Sequence, residues 1–240
     1  MSPEQRPLGA VLALAILAGY VAAQFLGGAL VGLAVLAAGG PSSSEILREL
    51  AGPAALTGML CAGAFLWLAL RALGGGRLRD TSECGIAWAR GGDAGLWVGV
   101  GAGAAVAAVT FEFALVWFPP EPGMPLGPMA ELTSTPGPGR VYLLVIALAL
   151  APLLEELLFR GVLLAGLSSS WGRGPAAAVT TLAFVALHAS ELVYYWAAAF
   201  GVVALALLAL WLRIRFQALG PAVAAHFTYN AVLVSIASLA

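Results

Sequence analysis

The sequence predicts an all-α fold: a polytopic membrane helix bundle with about seven transmembrane helices. Three observations carry that prediction. Hydrophobic residues make up 61% of the chain and charged residues only 10%, with a mean hydropathy of +0.96; soluble domains carry about 25% charged residues. The apolar residues fall into runs long enough to cross a bilayer, which takes about 20 residues of helix. The charges between those runs are unequal, with arginine gathered into alternate connections.

The first run, from Leu8 to Ala38, exceeds the roughly 7–15-residue core of a cleavable signal. It is too short for two crossings, so it reads as one anchor, tilted or bent at Gly27-Gly28. Further spans are expected at 53–73, 95–118, 141–167, 175–190, 192–212 and 220–240. The fifth is short and is expected to dip into the protein or end inside it. Proline and glycine crowd "FPPEPGMPLGPM" and "STPGPGR", which marks 119–140 as an irregular loop. One membrane domain is expected to cover 1–240. Gly95, Gly99 and Gly103 recur every fourth residue, as do Gly28 and Gly32, a spacing that lets helices pack closely. Cys61 lies in mid-helix and Cys84 in an arginine-rich loop, so two reduced thiols are expected rather than a disulfide.

Arginine placement orients the chain, which has no lysine. With a cytoplasmic N-terminus, the inner segments hold Arg6, Arg71, Arg77, Arg79, Arg90, Arg173, Arg213 and Arg215, and the outer ones only Arg48 and Arg140. That asymmetry follows the positive-inside rule, and the reverse topology inverts it. It also places the chain's end at Ala240 outside. The outer connections are acidic, with Glu45, Glu49, Glu121, Glu131 and Glu191. A net charge of −1 offers no basic face to nucleic acid.

Against this apolar background the stretch "LAPLLEELLFRGVLL" is out of character. A charge at the centre of a membrane helix costs roughly 2.5–3.5 kcal/mol, so Glu155, Glu156 and Arg160 together cost about 8–10 kcal/mol unless they find partners. The remaining ionisable residues assigned to the spans are Glu112, His188 and His226, the two histidines being the only ones in the chain. His188 stands one turn after Phe184, and Asn230 one turn after His226, so each pair shares a helix face. Such a set is either a structural polar network or a functional site; a site is the favoured reading. Glu112 is expected to be a supporting or packing group.

Spacing separates the two glutamates. Glu156 and Arg160 are four residues apart with the acid first, the favourable order for a pair. Glu155, rotated about 100° away, is left as the candidate base. Glu155 and His188 each lie about 12–13 residues from the cytoplasmic ends of their spans, roughly 18–20 Å of helix, and His226 about six residues. One cavity holding all of them is therefore expected, with Glu155 and both imidazoles within about 8 Å of one another. A carboxylate and an imidazole suit activation of water, and His226 with Asn230 suits an oxyanion, which together is the chemistry of amide hydrolysis. No serine or cysteine stands in a nucleophile's setting.

These residues also resemble the motifs of the CPBP family. "EELLFR" is similar to EExxxR, "FVALH" to FxxxH and "HFTYN" to HxxxN, in the family's order and within a catalytic core at about 141–235. The family comprises CAAX-prenyl-protease-like and bacteriocin-processing intramembrane endopeptidases, also called Abi proteins. The N-terminal third is similar only as unspecific hydrophobic helices. The resemblance implies a glutamate-dependent endopeptidase with a membrane-embedded site opening to the cytoplasmic side. In it Glu155 and His188 activate water, His226 and Asn230 form the oxyanion site, and Glu156 and Arg160 support them.

No cofactor is favoured. Zinc stays open, because Glu155, His188 and His226 match a catalytic zinc ligand set and the family has been described both ways; the Glu156–Arg160 pair and the lack of an HExxH helix favour metal-free chemistry. The expected partners are the bilayer and a peptide or protein substrate, prenylated or not; the oligomeric state is undetermined. The expected location is the plasma membrane of a prokaryote. Two other functions remain: a non-catalytic immunity or assembly partner, and a transporter relaying protons through Glu and His. The transporter would show inverted repeats, whereas the polar residues of this chain concentrate in its second half.

Overall fold

The computed structural model describes residues 8–37, 44–73, 92–121 and 138–239. Arg6, Arg77, Arg79, Arg90, Cys84 and Glu131 lie outside the described residues, as does most of the connection expected at 119–140. The described residues are helical, with no strand among them. The helices are α1 (Ala10–Ala37), α2 (Ser44–Leu73), α3 (Gly92–Trp117), α4 (138–171), α5 (Arg173–Leu187), α6 (Ala189–Tyr194), α7 (Ala198–Phe216) and α8 (Gly220–Leu239).

Five helices are long and apolar enough to cross a membrane: Ala10–Ala37, Leu50–Leu73, Ala94–Trp117, Arg140–Trp171 and Ala198–Phe216. The fifth expected span is the shorter apolar helix α5. The helix signal stops at His188 (φ −93°, ψ 9°), and a second break follows at Tyr195 (φ −140°, ψ 90°). Those two breaks detach α6 and move the sixth span from the expected 192–212 to 198–216. The seventh, α8, carries His226, Thr228 and Asn230 along its 20 residues and is not among the five.

α4 is the most enclosed of the five and sits at the centre. The α1–α2 hairpin packs on one side of it, and α3, α7 and α8 form a second group linked to α4 through α8 and α5. The N-terminal end of α1 seats on the C-terminal end of α4: Ser170 Oγ accepts from the Ala10 N–H at 2.9 Å, and Ser169 Oγ donates to the Leu8 carbonyl at 2.5 Å. The first of these bonds satisfies an N–H that a helix start leaves unpaired.

Close approach explains the glycine spacings. A Cβ at Gly99 or Gly103 would run into the backbone of Pro221 or Ala225, so the α3 stripe is the contact with α8. α1 is continuous through Gly27 and Gly28, and Gly27 lies against Cys61 and Gly58 of α2, so this pair serves packing rather than a bend. Gly32 departs from expectation: nothing lies within 4 Å of its Cβ position. All six described tryptophans are exposed and stand near helix ends, Trp67, Trp97, Trp171 and Trp211 at one rim and Trp117 and Trp196 at the other. Aromatic belts of this kind mark the two membrane–water interfaces. Arg71, over the Trp67 ring at 4.8 Å, shares the first rim with Arg173 and Arg215.

Candidate active site

α4 is not a regular α-helix. Two π-helical stretches, Ile146–Leu150 and Leu157–Leu163, bracket the short α segment Ala151–Glu156. π insertions tend to fall at functional sites because they rotate side chains and displace carbonyls from the ladder. Both effects occur here. The Ala151 N–H bonds the Ile146 carbonyl, and the Leu164 N–H bonds those of Phe159 and Gly161. Side chains of other helices take two of the displaced carbonyls: Asn230 Nδ2 donates to Ala147 at 2.8 Å, and Arg213 Nε to Arg160 at 3.2 Å.

The α segment ends on the two glutamates, and their surroundings differ. Glu156 is fully buried, and its Oε1 meets Arg160 Nη1 at 3.2 Å and His226 Nδ1 at 2.9 Å. The pair expected from the spacing is therefore present, with His226 added to it. Arg160 is buried too; its Nη2 donates to the Ala206 carbonyl at 2.9 Å and its guanidinium lies 4.3 Å from the Phe184 ring centre. A buried cation met by a carboxylate, a carbonyl and an aromatic face keeps much of what it lost by leaving water.

Glu155 faces elsewhere. It is 6% exposed, its Oε2 lies 3.8 Å from His188 Nε2, and that oxygen has no hydrogen-bond partner among the protein groups. The His188 side chain is 25% exposed. Its Nδ1 lies 2.9 Å from the Phe184 carbonyl. A carbonyl only accepts, so Nδ1 carries a proton and Nε2 is the nitrogen turned to Glu155.

Phe184 holds the cluster together. Its ring is 4.7 Å from the His188 ring and 5.8 Å from that of His226, and Phe159 meets it edge-on at 5.3 Å. The expected group of polar residues is thus arranged as two joined parts: Glu155 with His188, and Glu156 with Arg160 and His226. Asn230 is held on the α4 backbone beside them. Glu112 departs from expectation: it is exposed on α3 and neither packs nor supports the site.

Three contributors escaped the sequence reading. Tyr20 of α1 is fully buried, donates to Met59 Sδ at 3.4 Å and lies within electrostatic reach of Glu155. A tyrosine in mid-span was its available signal. Arg213 looked like an interfacial charge, yet it is buried against α4. The Ala147 carbonyl has no side-chain signal at all. As for zinc, no group of three or more His, Cys, Asp or Glu side chains that could hold a metal ion is gathered among the described residues.

Residues 137–232 match the family model described as Type II CAAX prenyl endopeptidase Rce1-like. No curated protein and no solved structure matches the chain. The matched stretch covers α4 to α7 and most of α8, and so contains every residue of the cluster except Tyr20.

Proposed function

We propose, from the match of residues 137–232 to the Rce1-like family model, that the chain is an intramembrane endopeptidase of the CAAX-protease-like CPBP family using Glu155 and His188 to activate water. One observation carries this reading: a buried carboxylate oxygen without a protein donor stands 3.8 Å from the unspent nitrogen of an imidazole. A water about 2.8 Å from each atom can donate one hydrogen to Glu155 Oε2 and the other to His188 Nε2. Its lone pair then points away from both, toward a substrate carbonyl carbon.

As that bond forms, Glu155 takes one proton of the water, and the carbonyl oxygen becomes an oxyanion. His226, held through Nδ1, is left with Nε2 to face that oxygen and donates from it in its protonated form. Asn230 has a second Nδ2 hydrogen beyond the one given to Ala147. When the tetrahedral centre collapses, the C–N bond breaks and Glu155 returns its proton to the leaving amine. Glu156 and Arg160 touch no reacting atom in this scheme; they fix His226.

The scheme needs no zinc, since Glu155 and His188 together can activate the water. The substrate is a polypeptide whose scissile bond reaches the middle of the membrane, and a prenylated tail is one such chain. The arginine-rich rim, which includes Arg173 and Arg215, faces the cytoplasm, so α1 begins inside. Turnover of a lipid-anchored peptide by the purified, reconstituted protein tests the reading, with Glu155→Gln alongside. Equal turnover in the two would sink it.

A further inference from the structure

We infer that Pro152 is the positioning residue for Asn230, acting by denying the Ala147 carbonyl its backbone donors. In an α-helix that carbonyl would accept from the Ala151 N–H, four residues on; in a π-helix it would accept from residue 152. The Ala151 N–H is spent on Ile146. Pro152 has no N–H to give, and its ring crowds the carbonyl four residues back, which favours the wider π turn. Pro152 is itself buried, at the start of the α segment that ends on Glu155 and Glu156. A buried carbonyl without a partner is costly, and Asn230 Nδ2 supplies the missing donor at 2.8 Å.

The consequence reaches the chemistry. A primary amide can rotate by half a turn and exchange its NH2 for its oxygen, and an oxygen facing an oxyanion would repel it. The Ala147 carbonyl accepts only, so it holds the NH2 side of Asn230 in place. Three residues before the first glutamate, the proline therefore sets the orientation of a side chain 78 positions further along, on another helix. The inference rests on the proposed reading only where it gives Asn230 the oxyanion; the hydrogen bond itself is independent of it.

Asn230 is the only asparagine in the chain, so an asparagine-selective side-chain amide 15N label yields a single NH2 pair, free of those of the glutamines. In the wild-type protein in micelles, one of its two protons is expected to exchange slowly with solvent and to resonate apart from the other. In Pro152→Ala, which restores an N–H, the two should converge and the slow one should exchange at least about tenfold faster. With a cleaved peptide, Pro152→Ala should lower kcat about ten- to a hundredfold at unchanged KM, in the range of a misplaced oxyanion donor. It should add nothing on an Asn230→Ala background. Two freely exchanging protons in the wild type overturn the inference without any variant. An unchanged amide pair in Pro152→Ala overturns it as well, whether or not the protein cleaves. A Pro152→Ala loss that persists in full beside Asn230→Ala would show the proline acting by another route.

Discussion

His226 Nδ1 lies 2.9 Å from Glu156 Oε1, the same oxygen that Arg160 Nη1 meets at 3.2 Å. One carboxylate oxygen thus ties α8 to α4, and both residues are buried. A group so engaged is poorly placed to exchange protons with a substrate. Each glutamate keeps an Oε2 with no protein donor, but that of Glu155 has the partly exposed His188 imidazole opposite it. Adjacent identical residues therefore have different environments because one residue of helix turns the side chain by about 100°.

That division predicts two kinds of failure. Glu155→Gln should reduce cleavage at least about a thousandfold, as loss of a general base does with its water, while the thermal midpoint hardly moves. Glu156→Gln or Arg160→Ala should lower the midpoint and the folded yield as well, since stranding one partner of a buried pair costs about 3–5 kcal/mol. Thermal unfolding in detergent, read beside turnover, checks both. A large fall in midpoint for Glu155→Gln alone would reverse the two assignments.

The helix interfaces predict a sharp contrast between glycines. Gly103→Val puts a side chain into the Ala225 backbone, and overpacking of that kind costs about 1–3 kcal/mol. Gly32→Ala, with nothing within 4 Å, should be silent. Both residues belong to fourfold spacings of the same form. Similar midpoints for the two variants would mean that α3 and α8 do not meet as described.

What could be read from sequence follows from what sequence encodes locally. The membrane setting was legible because apolar length is a local property, and the Glu156–Arg160 pair because the four-residue spacing still brings the two side chains together although Arg160 falls in the π stretch Leu157–Leu163. The partner of His226 was not legible: helical periodicity gives a face, but not which of two glutamates on a distant helix that face meets. The π stretches were hidden for a related reason. Their one local mark is Pro152, whose effect depends on where the Ala147 carbonyl can find a donor. The break at His188 had no glycine or proline beside it, so the sixth span was placed six residues early.

Orientation makes a prediction that bears on how substrate arrives. Arg173 follows α4 directly, at the rim shared with Arg71 and Arg215, and Glu121 follows the opposite end of α3. In the native host, a cysteine at 173 should react with a membrane-impermeant maleimide only after permeabilisation. One at 121 should react in intact cells. The chain's own Cys61 sits within α2, and a version lacking Cys61 and Cys84 provides the background. The opposite labelling pattern would invert the topology and bring the arginine-rich rim outside.

The donors that the site has left bear on metal dependence. His188 has committed Nδ1 to the Phe184 carbonyl and His226 has committed its own to Glu156, so each ring could offer a cation only Nε2. The Phe184 ring is in contact with both imidazoles, and a catalytic zinc would need both Nε2 atoms and the Glu155 carboxylate at about 2.0–2.2 Å. Turnover should therefore survive prolonged treatment with a strong zinc chelator. Added zinc should inhibit instead, by occupying Glu155 and His188 in place of the attacking water. Stoichiometric zinc in the active preparation, with activity lost on its removal and recovered on its return, would replace the water mechanism with a zinc-bound one.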